Sequence, residues 1–275
     1  MAVRKMRDAK AFSPAHITGF FQIQNRSENL LVKGSRGAGV SIKNGVTTTV
    51  CVEKASKSLL NMRINGQPTK SAKVSEQVMH MFLSRLEGDY KIFVNHDVQV
   101  PVGAGFGSSG AGALSLALAL NEALELGLSR IEVGQIAHIA EIDCKTGLGT
   151  VIAEFFGGLE IRMKPGAPGV GEVKHITVNE EYVVACLNFG PLPTSKFLSD
   201  QKFCRQINEF GGKLVDEIVK KPDVHNFVKF SRSFAENLGL ISTRIRKVLR
   251  ETDKAGITCS IPMFGESVFS LVRWD

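Results

Sequence analysis

Nothing in the five cysteines points to a metal framework or a disulfide scaffold: Cys51, Cys144, Cys186, Cys204 and Cys259 are odd in number, widely scattered and free of CxxC spacing. They read as small buried or half-buried thiols in a reducing compartment. Long apolar runs are missing too. The longest, Ala111–Leu120, is too short to cross a bilayer and gives way to Asn121 and Glu122, which excludes a membrane span there. The first ten residues, MAVRKMRDAK, are basic but lack the apolar core and cleavage site of a secretory signal, so a cytoplasmic protein is expected. Lys196–Lys254 is basic without an interleaved aromatic stacking motif, and nucleic-acid binding would rest on charge alone.

What is present is an ordinary globular composition. The 275 residues are 43% hydrophobic and 22% charged, enough for a buried core in one large or two modest domains. A net charge of +7 favours an anionic ligand, and 27 glycines imply several tight turns.

The densest glycine cluster lies in PVGAGFGSSGAGALS, Pro101–Ser115, which runs directly into the apolar helical stretch Ala111–Leu126. Gly103, Gly105, Gly107, Gly110 and Gly112 allow the backbone to turn and approach an anion, while free N–H groups and the positive helix end attract it. The preceding segment, Tyr90–Val100, alternates as a strand does. The order strand, loop, helix is therefore expected around a phosphate. The spacing is not GxxxxGK[ST], because no lysine follows the last glycines, and no acidic residue at the right distance completes a dinucleotide fingerprint.

Three other stretches could complete such a site. In FSPAHITGFF, Phe12–Phe21, Ser13, His16 and Thr18 stand among apolar residues, and Pro14 predicts a turn in place of a regular central strand. His16 is either a buried histidine or a partner for phosphate or hydroxyl. In GSRGAGVSI, Gly34–Ile42, glycines flank Arg36 and would leave its guanidinium unobstructed, ready to fork onto a carboxylate. Ile131–Thr150 predicts a helix whose end carries Glu141, followed by the turn Thr146–Gly149. Beside a phosphate, a carboxylate placed there suits magnesium, which takes hard oxygen ligands.

Together these segments resemble the superfamily of small-molecule kinases named for galactose, homoserine, mevalonate and phosphomevalonate. Pro101–Ala111 is similar to its PxxxGLGSSAA motif, with Phe106 for leucine and Gly110 for alanine. Ala11–Gly19 is similar to the first motif. Cys259–Leu271 is similar to the third, chiefly through Gly265 and the apolar strand after it. Within the superfamily, SPAHITGFF, GSRGAGVSI, GFGSSGAGALSLALALN, TGLGTV and GGLEIRMKPGAPG most resemble the archaeal pantoate kinases.

The resemblance implies ATP as donor, with its phosphates wrapped by Gly103, Gly105, Gly107, Ser108, Ser109, Gly110 and Ala111. It implies Mg2+ on Ser109 and Glu141, and pantoate oriented by Ser35, Arg36 and His16. At Thr150 the related enzymes carry aspartate. A threonine hydroxyl is a poor base, so either the substrate proton leaves late or His16 takes it. Ser109, Glu141, His16 and Thr150 are thus the expected catalytic positions. The implied fold is α+β in two domains: an N-terminal α/β domain of ribosomal-protein type with a left-handed crossover, over residues 1–163, and a C-terminal ferredoxin-like α+β domain, over 172–275. Lys164–Gly171 is the expected boundary. Strands are expected at Val46–Val52, Asn61–Ile64 with an Asn65-Gly66 turn, Tyr90–Val100, Gly158–Met163, Tyr182–Leu187 and Val268–Val272. Helices are expected near Gln201–Lys220, Val224–Glu236 and Thr243–Lys254. A homodimer is compatible with the family pattern. The other readings are a kinase of homoserine, mevalonate or shikimate, and a nucleotide-binding protein with weakened chemistry.

Overall fold

A computed structural model describes residues 6–69, 72–178, 182–191 and 200–274. Strands β1 (Arg7–Gln24) and β2 (Gly34–Ala55) form one long antiparallel ribbon. The turn expected at Pro14 is instead a bulge. The register shifts between Pro14 and Ala15 and again between Thr18 and Phe20, so the strand absorbs a residue without an N–H and runs on. The arginine-bearing stretch Gly34–Ile42 also lies within a strand, not in a hairpin turn.

Around this ribbon lie β3 (Leu59–Ile64), β4 (Gln67–Pro68), β5 (Asp89–Val98), β6 (Leu159–Lys164) and β7 (Glu172–His175), in the order β4-β3-β5-β2-β6-β7 with β1 on β2. Asn65 and Gly66 turn the β3–β4 hairpin at positive φ, as expected. β3 and β5 are parallel and are joined through β4 and helix α1 (Lys73–Leu83). Lys164–Gly171 connects β6 to β7 inside this same sheet.

Helix α2 (Ser108–Ala123) is the centre of the first core. It is apolar on all sides, as an enclosed helix must be. Leu116 and Leu120 pack with Val50, Ile92 and Val94 of the sheet, Val78 and Phe82 of α1, and Val133 and Ile136 of α3 (Arg130–Asp143). A short helix, α4 (Thr150–Phe156), follows the turn after α3.

The second core lies along the later half of β1. Ile17, Phe20, Phe21 and Ile23 meet Ile207, Leu214 and Val215 of α5 (Gln201–Lys220), and Phe227 and Phe234 of α6 (Val224–Asn237). Helix α7 (Thr243–Lys254) packs beside β9 (Ser267–Arg273), which pairs antiparallel with β8 (Tyr182–Asn188). Asp200, Asp223 and Ser242 cap α5, α6 and α7 through their side chains. These caps explain why the C-terminal helices match their sequence bounds closely. Among the described residues no helix is long and apolar enough to cross a membrane.

α5 sits on β1 with no side chain between them: a Cβ on Gly211 would collide with the Phe21 carbonyl oxygen. Gly211→Ala is expected to lower the unfolding free energy in urea by about 1–3 kcal/mol. Gly112→Ala, whose Cβ would enter open space inside α2, should be neutral or stabilising by up to about 1 kcal/mol. Equal effects of the two changes would show that α5 does not press on the strand.

Candidate active site

The glycine loop turns as its composition demands. Gly103, Gly105 and Gly107 have φ of 73°, 87° and 67°, the left-handed region open chiefly to glycine. Gly107 is the N-cap of α2, and no side chain caps that helix end. Its first amides therefore remain available to an anion. The loop is clamped by main chain. The His16 N–H donates to the Phe106 carbonyl at 3.1 Å, and a Cβ on Gly107 would lie 3.0 Å from the His16 carbonyl oxygen. From the other side, a Cβ on Gly105 would lie 2.8 Å from Pro262, and Gly265 abuts the Ala104 carbonyl. Ser267 Oγ donates to that same carbonyl at 3.2 Å. The three glycine-bearing motifs meet here.

Ser109 and Glu141 also meet. Ser109 Oγ donates to Glu141 Oε1 at 2.6 Å, and Thr146 Oγ1 donates to the same oxygen at 2.7 Å. Glu141 is buried, and burial raises its pKa against the pull of these two hydrogen bonds. Glu141 Oε2 fills the space where Gly147 would carry a Cβ. Two hydroxyls and a carboxylate at a helix N-terminus are hard donors. They fit magnesium, which keeps waters and takes its remaining ligands from phosphate. Among the described residues no group of three or more His, Cys, Asp or Glu could hold a metal by itself.

Thr150 opens α4 directly beneath the loop. Its methyl would lie 2.8 Å from a Cβ on Gly107 and 3.1 Å from one on Gly110. One helical turn later, the same face carries Glu154, whose Oε1 and Oε2 would lie 2.8 and 2.7 Å from those two positions. Glu154 is buried, and neither oxygen has a hydrogen-bond partner. Burial, with the nearby Glu141 charge, pushes its pKa well up against a weak pull from the adjacent Ala111 amide, whose N–H donates to the Gly107 carbonyl. A carboxyl thus lies against the loop although position 150 holds none.

The basic groups are arranged differently from the sequence expectation. Arg36 does not stand unobstructed. Its Nε donates to the Met163 carbonyl at 3.1 Å, Nη1 to Gln22 at 3.2 Å and Nη2 to Asp216 of α5 at 2.7 Å. Strand alternation turns it away from its buried neighbour Ser35. The guanidinium near the glycine turn belongs to Arg162 on β6. It is 1% exposed, pairs through Nη1 with Glu160, and has no partner for Nε. A Cβ on Gly149 would lie 2.8 Å from that Nε and would collide with Ser35 Oγ. Ser35, Gly149 and Arg162 are therefore neighbours. His16 sits behind them, with Nε2 2.9 Å from Glu160 and Nδ1 3.2 Å from Thr18. Burial lowers its pKa, and both ring nitrogens are engaged, so it is not free to take a substrate proton.

Beside the loop lies a cavity of about 260 Å³, lined by Ile64, Val74, Ser75, Val98, Ser109 and Thr146 among others. It is largely apolar and reaches the first turn of α2.

A phosphate loop opening a buried helix, with hydroxyl and carboxylate donors at its mouth, defines a small-molecule kinase. The model for the GHMP kinases N terminal domain matches residues 73–158. The chain belongs to the pantoate kinase family of these enzymes. It is 36% identical to the pantoate kinase of Methanocaldococcus jannaschii over 95% of this chain and 92% of that one. Against the pantoate kinase of Thermococcus kodakarensis it is 35% identical over 96% and 87%. A solved structure of a phosphotransferase related to the CoA biosynthesis pathway superposes with a TM-score of 0.86 at 34% identity, covering 97% of this chain and 88% of that one. A mevalonate diphosphate decarboxylase from Enterococcus faecalis shares the fold, with a TM-score of 0.71 at 18% identity, covering 98% and 89%.

Sequence reading missed Glu154, Glu160 and Arg162. The signal for the last two was present: LEIRM alternates, and its charged positions share one face. For Glu154 there was only the i, i+4 spacing from Thr150. Folded Glu141 and Glu154 hold protons above the ordinary carboxyl value of 4.5. The unfolded chain releases them sooner, so stability should fall as pH rises past 4.5. Glu154→Gln is expected to flatten that fall and to stabilise the ligand-free protein at neutral pH. Urea unfolding at about pH 5 and about pH 8 measures it; identical slopes in parent and variant would clear Glu154 of the effect.

Proposed function

We propose that the chain transfers the γ-phosphoryl group of ATP to the primary hydroxyl of pantoate, with Mg2+ held by Ser109 and Glu141. The observation that carries this reading is the pairing of an uncapped α2 N-terminus with a buried, incompletely paired Arg162 across the Gly147–Gly149 turn. The loop amides from Gly105 to Gly110 hold the phosphates, the Ala111 amide being bonded to the Gly107 carbonyl within α2, and the cavity beside them takes the nucleoside. Ser35 and Arg162 Nε hold the pantoate carboxylate in two charge-assisted bonds, while Arg36 fastens α5 to β2. When bound, the magnesium ion supplies charge neutralisation between phosphate oxygens.

Placement does most of the work, because a loose phosphoryl transition state needs alignment more than covalent help. Thr150, at the turn between the two anion sites, donates or accepts a hydrogen bond but is no base at neutral pH. The hydroxyl proton accordingly leaves late, onto the transferred phosphoryl group. We also propose two domains whose shared wall is β1, residues 1–163 and 172–275, with β7 of the second reaching back to pair with β6 at the edge of the first sheet. The cytoplasm, where ATP is made, is the expected location.

A second reading, a kinase of homoserine, mevalonate or shikimate, differs only in the acceptor. Magnesium-ATP with each acceptor in turn should give ADP release that depends on pantoate; release with another compound reassigns the acceptor, and none leaves a nucleotide-binding protein. Arg162→Lys is expected to raise the pantoate KM about 10-fold or more, the loss of a charged bond worth about 1.5–3 kcal/mol, while the ATP KM moves little. Arg36→Ala should leave the pantoate KM near the parent value. The reverse pattern would return the carboxylate to Arg36.

A further inference from the structure

One line of buried polar groups takes no part in the chemistry above. Thr48 on β2, Ser75 in the first turn of α1, His96 on β5 and Ser115 on α2 are all buried. Ser115 Oγ donates to the Gly112 carbonyl at 3.3 Å. Thr48 Oγ1 lies 2.6 Å from Ser115 Oγ and 2.8 Å from His96 Nδ1, and His96 Nε2 lies 3.1 Å from Ser75 Oγ.

The carbonyl at the inner end can only accept, and that sets the direction of each proton. Ser115 directs its hydrogen to Gly112 and so receives that of Thr48. Thr48 receives the Nδ1–H of His96, whose Nε2 lone pair then receives the Ser75 hydrogen. His96 must be neutral for this order. Burial lowers its pKa to about 4, so it carries one N–H and one lone pair at neutral pH. The Ser75 hydroxyl is left with lone pairs only for any further partner. Ser75 and His96 both line the cavity beside the loop, with Ser108, Ser109 and Gly112.

We propose that Ser75 Oγ, oriented by His96, accepts a hydrogen bond from the nucleoside of the phosphate donor and thereby selects for a donor group at that point. The partner is a ribose hydroxyl or an exocyclic amine, which share this chemistry. Ser75 would touch the nucleotide; His96, Thr48 and Ser115 are positioning residues. The inference rests on the ATP-dependent reading of the site. An analogue with hydrogen in place of the donor loses one bond, and one with a carbonyl there sets lone pair against lone pair.

The test compares ATP with 2′-deoxy-ATP, 3′-deoxy-ATP and inosine triphosphate, by KM in the pantoate assay and by calorimetric Kd, in the parent and in Ser75→Ala. For the parent, at least one analogue should bind about 3–10-fold more weakly than ATP, as one neutral hydrogen bond allows, and Ser75→Ala should erase that ratio. The penalised analogue tells ribose from base. Ratios equal in parent and variant would overturn the proposal even while pantoate-dependent ADP release with ATP upholds the kinase. Conversely, loss of all turnover with the ratios intact in the calorimeter would sink the kinase reading and keep Ser75. Should Ser75→Ala not fold, Ser75→Cys keeps the volume with a weak acceptor and gives the same readout.

Discussion

Main chain packed on main chain, with no side chain between, is what the rest of this structure depends on. Gly107 lies against the His16 carbonyl, Gly265 against the Ala104 carbonyl, and the His16 and Met263 amides donate across to Phe106 and Thr18. Strand β1, the loop and the Pro262–Gly265 turn are thereby held as one unit. Any Cβ at these contacts would pry the layers apart, and the left-handed φ of Gly103, Gly105 and Gly107 would strain any other residue. The start of α2 has no side-chain cap, so its first amides are left for water or an anion.

Charge is distributed around this unit in an incomplete way that ligands can complete. Glu141 and Glu154 are buried near the loop at a desolvation cost, and Arg162 keeps a nitrogen without a partner. Arg36, by contrast, is fully engaged and joins the two cores through Asp216. Two arginines on neighbouring strands thus differ in how far their nitrogens are paired.

Much of the site was readable in one dimension because its contacts are local. The Pro101–Ser115 run contains both the turn-forming glycines and the helix they open, so loop and helix were legible together. Ser109 and Glu141 were legible as hard donors near that run, and the structure brings their side chains into hydrogen-bond contact. Pro14 misled, because a bulge accommodates in tertiary structure what a regular strand forbids. Helices α1 and α4 were not foreseen: α1 follows the hairpin closely, and α4 is too short to show a period. Arg36 misled for a different reason. Its glycine neighbours say nothing of Asp216, which arrives from 180 residues away.

By itself, then, the sequence determined the class of ligand and the order of the elements, since glycine spacing, apolar periodicity and helix caps act over a few residues. Which groups Arg36 and Arg162 pair with, and which carboxyls are buried, were decided only by the tertiary structure. Those properties depend on burial and on partners distant in the chain, and desolvation has no counterpart in a string of letters.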